Sequence, residues 1–162
     1  MFRRRRQHSD PVPAALGARV LSVSCDEDDG AGRRRGEDRD QAWRELRAIV
    51  SEAVIWQDAA EEVLAAISRR EPLAELAPRG GPLIRRFCAL RARLPESCDP
   101  EIRRITDVLG PVFDHHALML SSSLDMLAVD WRSERIRDEL ERIDGLGAPA
   151  ARLETVRAEL VA

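Results

Sequence analysis

The stretch that decides the fold is Asp40–Arg70, DQAWRELRAIVSEAVIWQDAAEEVLAAISRR. Within it Ala42, Leu46, Ile49, Ala53, Trp56, Ala60, Val63 and Ile67 recur in alternating steps of four and three. A helix of 3.6 residues per turn places such positions on one face, so the spacing predicts a helix over 40–70. Sustained over this length, it is the seam of a coiled coil or long bundle. Trp43, Val50 and Val54 form a second stripe beside the first, which widens the apolar arc enough to meet two neighbours. Pro72 ends the helix, because proline disfavours helical geometry in the residue before it and donates no hydrogen bond itself.

Toward the carboxyl end, Glu71–Gly81 reads as a connector, with Gly80-Gly81-Pro82 as its break. A second helix is expected from Pro82, a favourable first helical position, to Leu94. Its apolar face is Leu83, Phe87, Leu90 and Leu94, with Ile84 and Cys88 packed alongside; Pro95 closes it. Asp99 is placed as the N-cap of a third helix whose first residue is Pro100. Ile102, Ile105, Leu109, Val112, His116, Met119, Ser123 and Met126 continue the three-four spacing. An interior proline costs roughly 3 kcal/mol, so a kink or a division into two helices is predicted near Gly110-Pro111. The helix is then expected to run to Asp144, with Gly145 as its left-handed cap. Opposite charges four apart (Arg135–Glu139, Arg137–Glu141, Asp138–Arg142) describe a solvated end projecting from the body. A short last helix fits Pro149–Leu160, with Leu153, Val156 and Leu160 inward.

The expected architecture is all-α: an elongated bundle of about four helices, two of them long, over residues 39–162. Residues 1–38 form a separate zone. Arginine blocks at Arg3–Arg6 and Arg33–Arg35 flank an acidic block at Asp26–Asp29, giving eight arginines against seven acids. Such a blocky, weakly apolar segment is expected to be a disordered tail.

Composition restricts the function classes. All 26 basic residues are arginine, and lysine, asparagine and tyrosine are absent. Those three residues have AT-rich codons, so a high-GC bacterial genome is the simplest source. Arginine is then the default cation rather than a sign of phosphate binding. The net charge of −3 argues against a basic nucleic-acid binder. No apolar run approaches the 18 residues of a membrane span. The three cysteines are far apart and lack C-x-x-C spacing, which fits a reducing cytoplasm.

No motif fixes a chemistry. Asp114, Ser121 and Asp125 share one helical face, with His115 and Ser122 at its edge. That set (Asp114, His115, Ser122, Asp125) is the candidate for a small-ligand, metal or proton-transfer site, against a plain solvated or interfacial face. Adjacent helical residues diverge by about 100°, so His115 and His116 do not readily share one metal. His116 falls on the apolar stripe and reads as a hydrogen-bonded core histidine. Ser121-Ser122-Ser123 in mid-helix favours close helix approach. Arg85, Arg86, Arg91 and Arg93 make the helix over 82–94 basic, the only feature suggesting a DNA-binding regulator. Trp43, Trp56, Met119, Ser123, Met126 and Trp131 are the expected interface residues. Long helices in a small chain leave apolar surface to cover. The leading expectation is therefore a non-enzymatic helical interaction module without a cofactor, pairing with its own copy or with another helical protein.

Overall fold

The computed structural model describes residues 32–130, 133–143 and 145–161. They form five helices: α1 (Gly32–Ser68), α2 (Leu73–Ala92), α3 (Pro100–Asp130), α4 (Glu134–Glu141) and α5 (Ala148–Val161). No strand occurs among the described residues. The all-α bundle expected from the periodicity is present, with one more helix than expected.

α1, of 37 residues, is about 55 Å long at 1.5 Å per residue. It starts seven residues before the expected domain boundary, because Gly32–Asp38 continue the helix. The rest of the expected tail, 1–31, lies outside the described residues. At the other end, Arg70 adopts a left-handed φ of 63°. The Arg70 amide bonds the Ile67 carbonyl at 2.8 Å and the Glu71 amide bonds the Ala66 carbonyl at 3.1 Å. This is a Schellman closure made on arginine instead of glycine. Pro72 then starts the return.

Charged and polar contacts between the helices fix their directions. Arg39 meets Asp99 at 2.8 Å and Gln57 meets His116 at 3.3 Å, so α1 and α3 run parallel. Arg93 meets Glu52 at 2.6 Å and Arg86 stacks over Trp56, so α2 runs antiparallel to α1. Arg104 at the start of α3 meets Glu159 at the end of α5 at 2.8 Å, and Gly145 before α5 lies beside Glu61 of α1, so α5 runs antiparallel to α1 and α3. α1 and α3 are the central pair. α2 packs in the groove on one side of them, α5 packs on the other, and α2 and α5 do not touch.

At two places where the sequence allows a division, the helix is continuous. α2 runs unbroken through Pro78, Gly80, Gly81 and Pro82. The glycine has a packing reason. A Cβ built on Gly80 would fall 2.7 Å from Leu124 Cδ1 and 3.5 Å from Val63 Cγ1. Gly80 is buried where α1, α2 and α3 converge, and its missing side chain lets them approach. Pro78 is exposed and Pro82 half-exposed, so their missing amides lie toward the solvated side. α3 likewise continues through Gly110 and Pro111. A Cβ on Gly110 would meet the Arg91 guanidinium at 3.0–3.3 Å, so this glycine leaves room for an α2 side chain.

The real interruption comes after Asp130. The expected 45-residue helix and its projecting end are replaced by α3, a short α4 and a turn through Gly145 (φ 63°). α4 folds back on the body: Leu140 is fully buried, and Ile136 and Ile143 pack against the core. Arg70 of the α1 closure reaches Glu141 of α4. α5 buries Leu153, Val156 and Leu160, as its spacing predicts. Much of the apolar length expected to need a partner is covered in this way within the chain. Cys88, expected beside the core, is instead an exposed free thiol.

Candidate functional site

The polar residues of the interior are Gln57, His116 and Ser123, the buried polar side chains among the described residues. His116 Nδ1 lies 2.6 Å from the Val112 carbonyl oxygen, which can only accept, so Nδ1 carries the proton. The Gln57 side-chain amide lies against Nε2, its Oε1 3.3 Å away; because Nε2 of this neutral tautomer can only accept, the hydrogen bond requires the amide turned to present its NH₂. The Phe87 ring sits 5.0 Å from the imidazole. Burial is the main cause that lowers the His116 pKa to about 4, and the neighbouring His115 lowers it further. This is the hydrogen-bonded core histidine expected from its place on the stripe. It holds α1 to α3 and faces no solvent. Ser123, two turns along α3, is buried with no hydrogen-bond partner on its Oγ. Its small side chain serves the tight crossing inside the chain.

The candidate polar residues occupy the outside of α3. Asp114, Ser122 and Asp125 are exposed, and Ser121 and His115 are half-buried. His115 touches His116 edge-on, with ring centroids 6.3 Å apart. Ser122 Oγ donates to the Leu118 carbonyl at 2.7 Å, which turns its hydroxyl back onto the helix. Asp114 accepts from Arg91 of α2 at 3.5 Å. No group of three His, Cys, Asp or Glu side chains among the described residues could hold a metal ion. Asp114, Ser121 and Asp125 share a face with His115 and Ser122 at its edge, as their spacing predicts, but the fold does not gather them around a pocket.

The same face has a member that spacing alone did not single out. Asp107, Pro111, Asp114, Leu118, Ser122 and Asp125 are all exposed and follow at three- and four-residue steps. They form the outer stripe of α3, opposite the sides taken by its neighbours. Leu118 is 65% exposed at its centre, one of three large apolar side chains so exposed among the described residues, with Ile55 and Val161. Between Ile105 and Asp130 the chain has three aspartates and no arginine, in a sequence with 26 arginines.

The expected interface tryptophans are partly committed. Trp43 is half-buried against the core. Trp56 donates Nε1–H to Glu52 at 3.3 Å and carries the Arg86 guanidinium 3.7 Å above its ring. Glu52 also accepts from Arg93, and that bond is the main cause holding its carboxyl below the usual value. Met119 and Met126 are half-buried on the core side. Trp131 lies outside the described residues.

The arginines of the basic segment do not share a face. Arg86 and Arg93 turn to α1, Arg91 turns to α3, and Arg79 pairs with Glu71 at 3.6 Å. A cleft of about 580 Å³ opens between the end of α2, the 93–99 connector and the first third of α3. Sequence reading gave no sign of it. Its charged lining balances Arg91 and Arg103 against Glu96 and Asp107. Arg103 is engaged there by the Ser97 carbonyl at 3.4 Å. Comparison of the chain with protein-family models, curated proteins and solved structures finds no match.

Proposed function

We propose that the protein is a non-enzymatic interaction module whose contact surface is the outer face of α3. The observation that carries this reading is Leu118, 65% exposed in a row of aspartates on a rigid helix buried along its other sides. An exposed apolar side chain with Asp114, paired to Arg91, on one side and Asp125 on the other suits a partner with an apolar anchor and a cation beside it. Like-to-like pairing of this face sets aspartate against aspartate, so a different chemistry is favoured over a second copy of the same face. Binding to a nucleic-acid duplex has less support, since the α2 arginines spread over two flanks and most are engaged.

Random peptides displayed on phage and selected on the full chain test the reading. Selected peptides should combine arginine or lysine with one large apolar residue. They should lose affinity for Leu118→Asp and for Asp125→Arg at unchanged helicity by circular dichroism. Peptides indifferent to both substitutions would place the contact elsewhere and overturn the proposal.

A further inference from the structure

The face just described has a complementary segment in the same chain. We propose that Phe2–Arg6, FRRRR, docks along the outer stripe of α3, with Phe2 and the arginines meeting Leu118 and the aspartates. The inference rests on reading that stripe as a contact surface.

Charge is the first argument. Asp107, Asp114 and Asp125 line the stripe, and α3 offers no arginine between Ile105 and Asp130. Arg91 and Arg103 border only its amino-terminal part, where Arg91 meets Asp114 at 3.5 Å. Arg3–Arg6 is the densest basic block of the sequence, and an aromatic residue precedes it. The four side chains are guanidinium groups, which bind carboxylates through paired donors.

Length is the second. From Asp114 to Asp125 is eleven residues of helix, roughly 17 Å at 1.5 Å per residue. Five residues of extended chain cover roughly 17 Å as well. Reach is the third. The Arg39–Asp99 contact sets the amino end of α1 beside the amino end of α3. Gly32 then lies roughly 39 Å from Leu118 along the bundle. The 25 residues between Arg6 and Gly32 can span up to roughly 83 Å. That length exceeds the distance to the stripe, so the segment can reach it within one chain. Docking within one chain is favoured over docking between chains on that account.

The absence of lysine supplies a direct test. In the recombinant chain beginning at Met1, the α-amino group is the one primary amine. A carbodiimide, which joins amines to carboxylates without a spacer, therefore reports where the amino terminus sits. Peptide mapping should place the cross-link on Asp107, Asp114 or Asp125, in a product that migrates as a monomer. Raising the salt from 20 mM to 500 mM should cut its yield roughly tenfold, since contacts between exposed charges are screened. Replacing Arg3–Arg6 by glutamine keeps the amine and should give the same loss. Cross-links confined to Asp10 and Asp26–Asp29, or spread over acids of α1, α4 and α5, would overturn the proposal. So would a product that is mainly a covalent dimer.

The two proposals fail separately. Peptide selection on the glutamine variant measures the α3 face without its own arginines. Tail docking can then fail while the face still selects basic–apolar peptides.

Discussion

Acid should weaken the bundle through His116 before the carboxylates titrate. The ring is fully buried, and its pKa is lowered to about 4 from an ordinary 6.5. A second proton on Nε2 could be accepted by the Gln57 oxygen only if the amide turned over. The positive charge would still lie in a dry pocket against Phe87 without a carboxylate partner, which burial penalises. Because the folded pKa is depressed, the unfolded chain takes up the proton first. The stability contributed by the neutral ring is complete above about pH 6.5, falls as the pH drops toward 4, and levels off below that. A gap of 2.5 pK units corresponds to about 3 kcal/mol, of which about 2 kcal/mol is lost between pH 7.5 and pH 5. Against a domain stability of roughly 5–15 kcal/mol, that loss is readily measured. Urea unfolding followed by circular dichroism at pH 7.5, 6.5, 5.5 and 5.0 should show it. His116→Gln and His116→Leu should be less stable at neutral pH but lose most of the slope in that window. Glu52 and Asp99 have lowered pKa values and contribute at lower pH, so they do not mask the effect. If the two variants retain the wild-type slope, the buried ring is not its source and the reasoning is wrong.

Three further outcomes follow from the core. Ser123→Ala removes a buried hydroxyl without a partner and improves helix propensity, so it should stabilise by about 1 kcal/mol; a clear loss in urea unfolding would mean that the hydroxyl has an acceptor. Phe87→Ala empties a fully buried site against Phe113 and His116, and a loss of about 3–5 kcal/mol in the same assay is expected. It should also raise the His116 pKa, read by proton NMR, as water enters. The two helical glycines should differ: Gly110→Ala gains about 1 kcal/mol of helix propensity because exposed Arg91 can swing aside, whereas Gly80→Val meets Leu124 and Val63 inside the crossing and should cost about 1–3 kcal/mol. Equal melting shifts for the two would contradict the assigned packing.

Several features were legible in the sequence because their causes are local. Periodicity gave α1 and its buried seam, since a helix places every third and fourth residue on one face. Asp99 caps α3 as its type and position predict, its Oδ1 accepting from the Glu101 amide at 2.9 Å and the Ile102 amide at 3.2 Å. The inward residues of α5 and the buried state of His116 were readable for the same reason, as was the shared face of Asp114, Ser121 and Asp125. The exposure of Leu118 was not, because it depends on which sides of α3 its neighbours cover.

Where the sequence misled, the deciding contacts join residues far apart in the chain. Gly80-Gly81-Pro82 and Gly110-Pro111 carry the local marks of a break. Each nevertheless lies inside a helix, because Gly80 is needed where three helices converge and Gly110 makes room for Arg91. No local signal distinguishes a glycine that ends a helix from one that lets another helix approach. The separate helix that begins at Glu134 is the converse case. The charged pairs of 135–142 suit a free helical end, yet burying Leu140 and joining Arg70 to Glu141 bring α4 back onto the bundle. The sequence by itself determined that the chain is helical, which residues face inward and where Asp99 and Pro72 punctuate it. Tertiary packing decided how many helices there are and which surface remains open, because those depend on what covers each face.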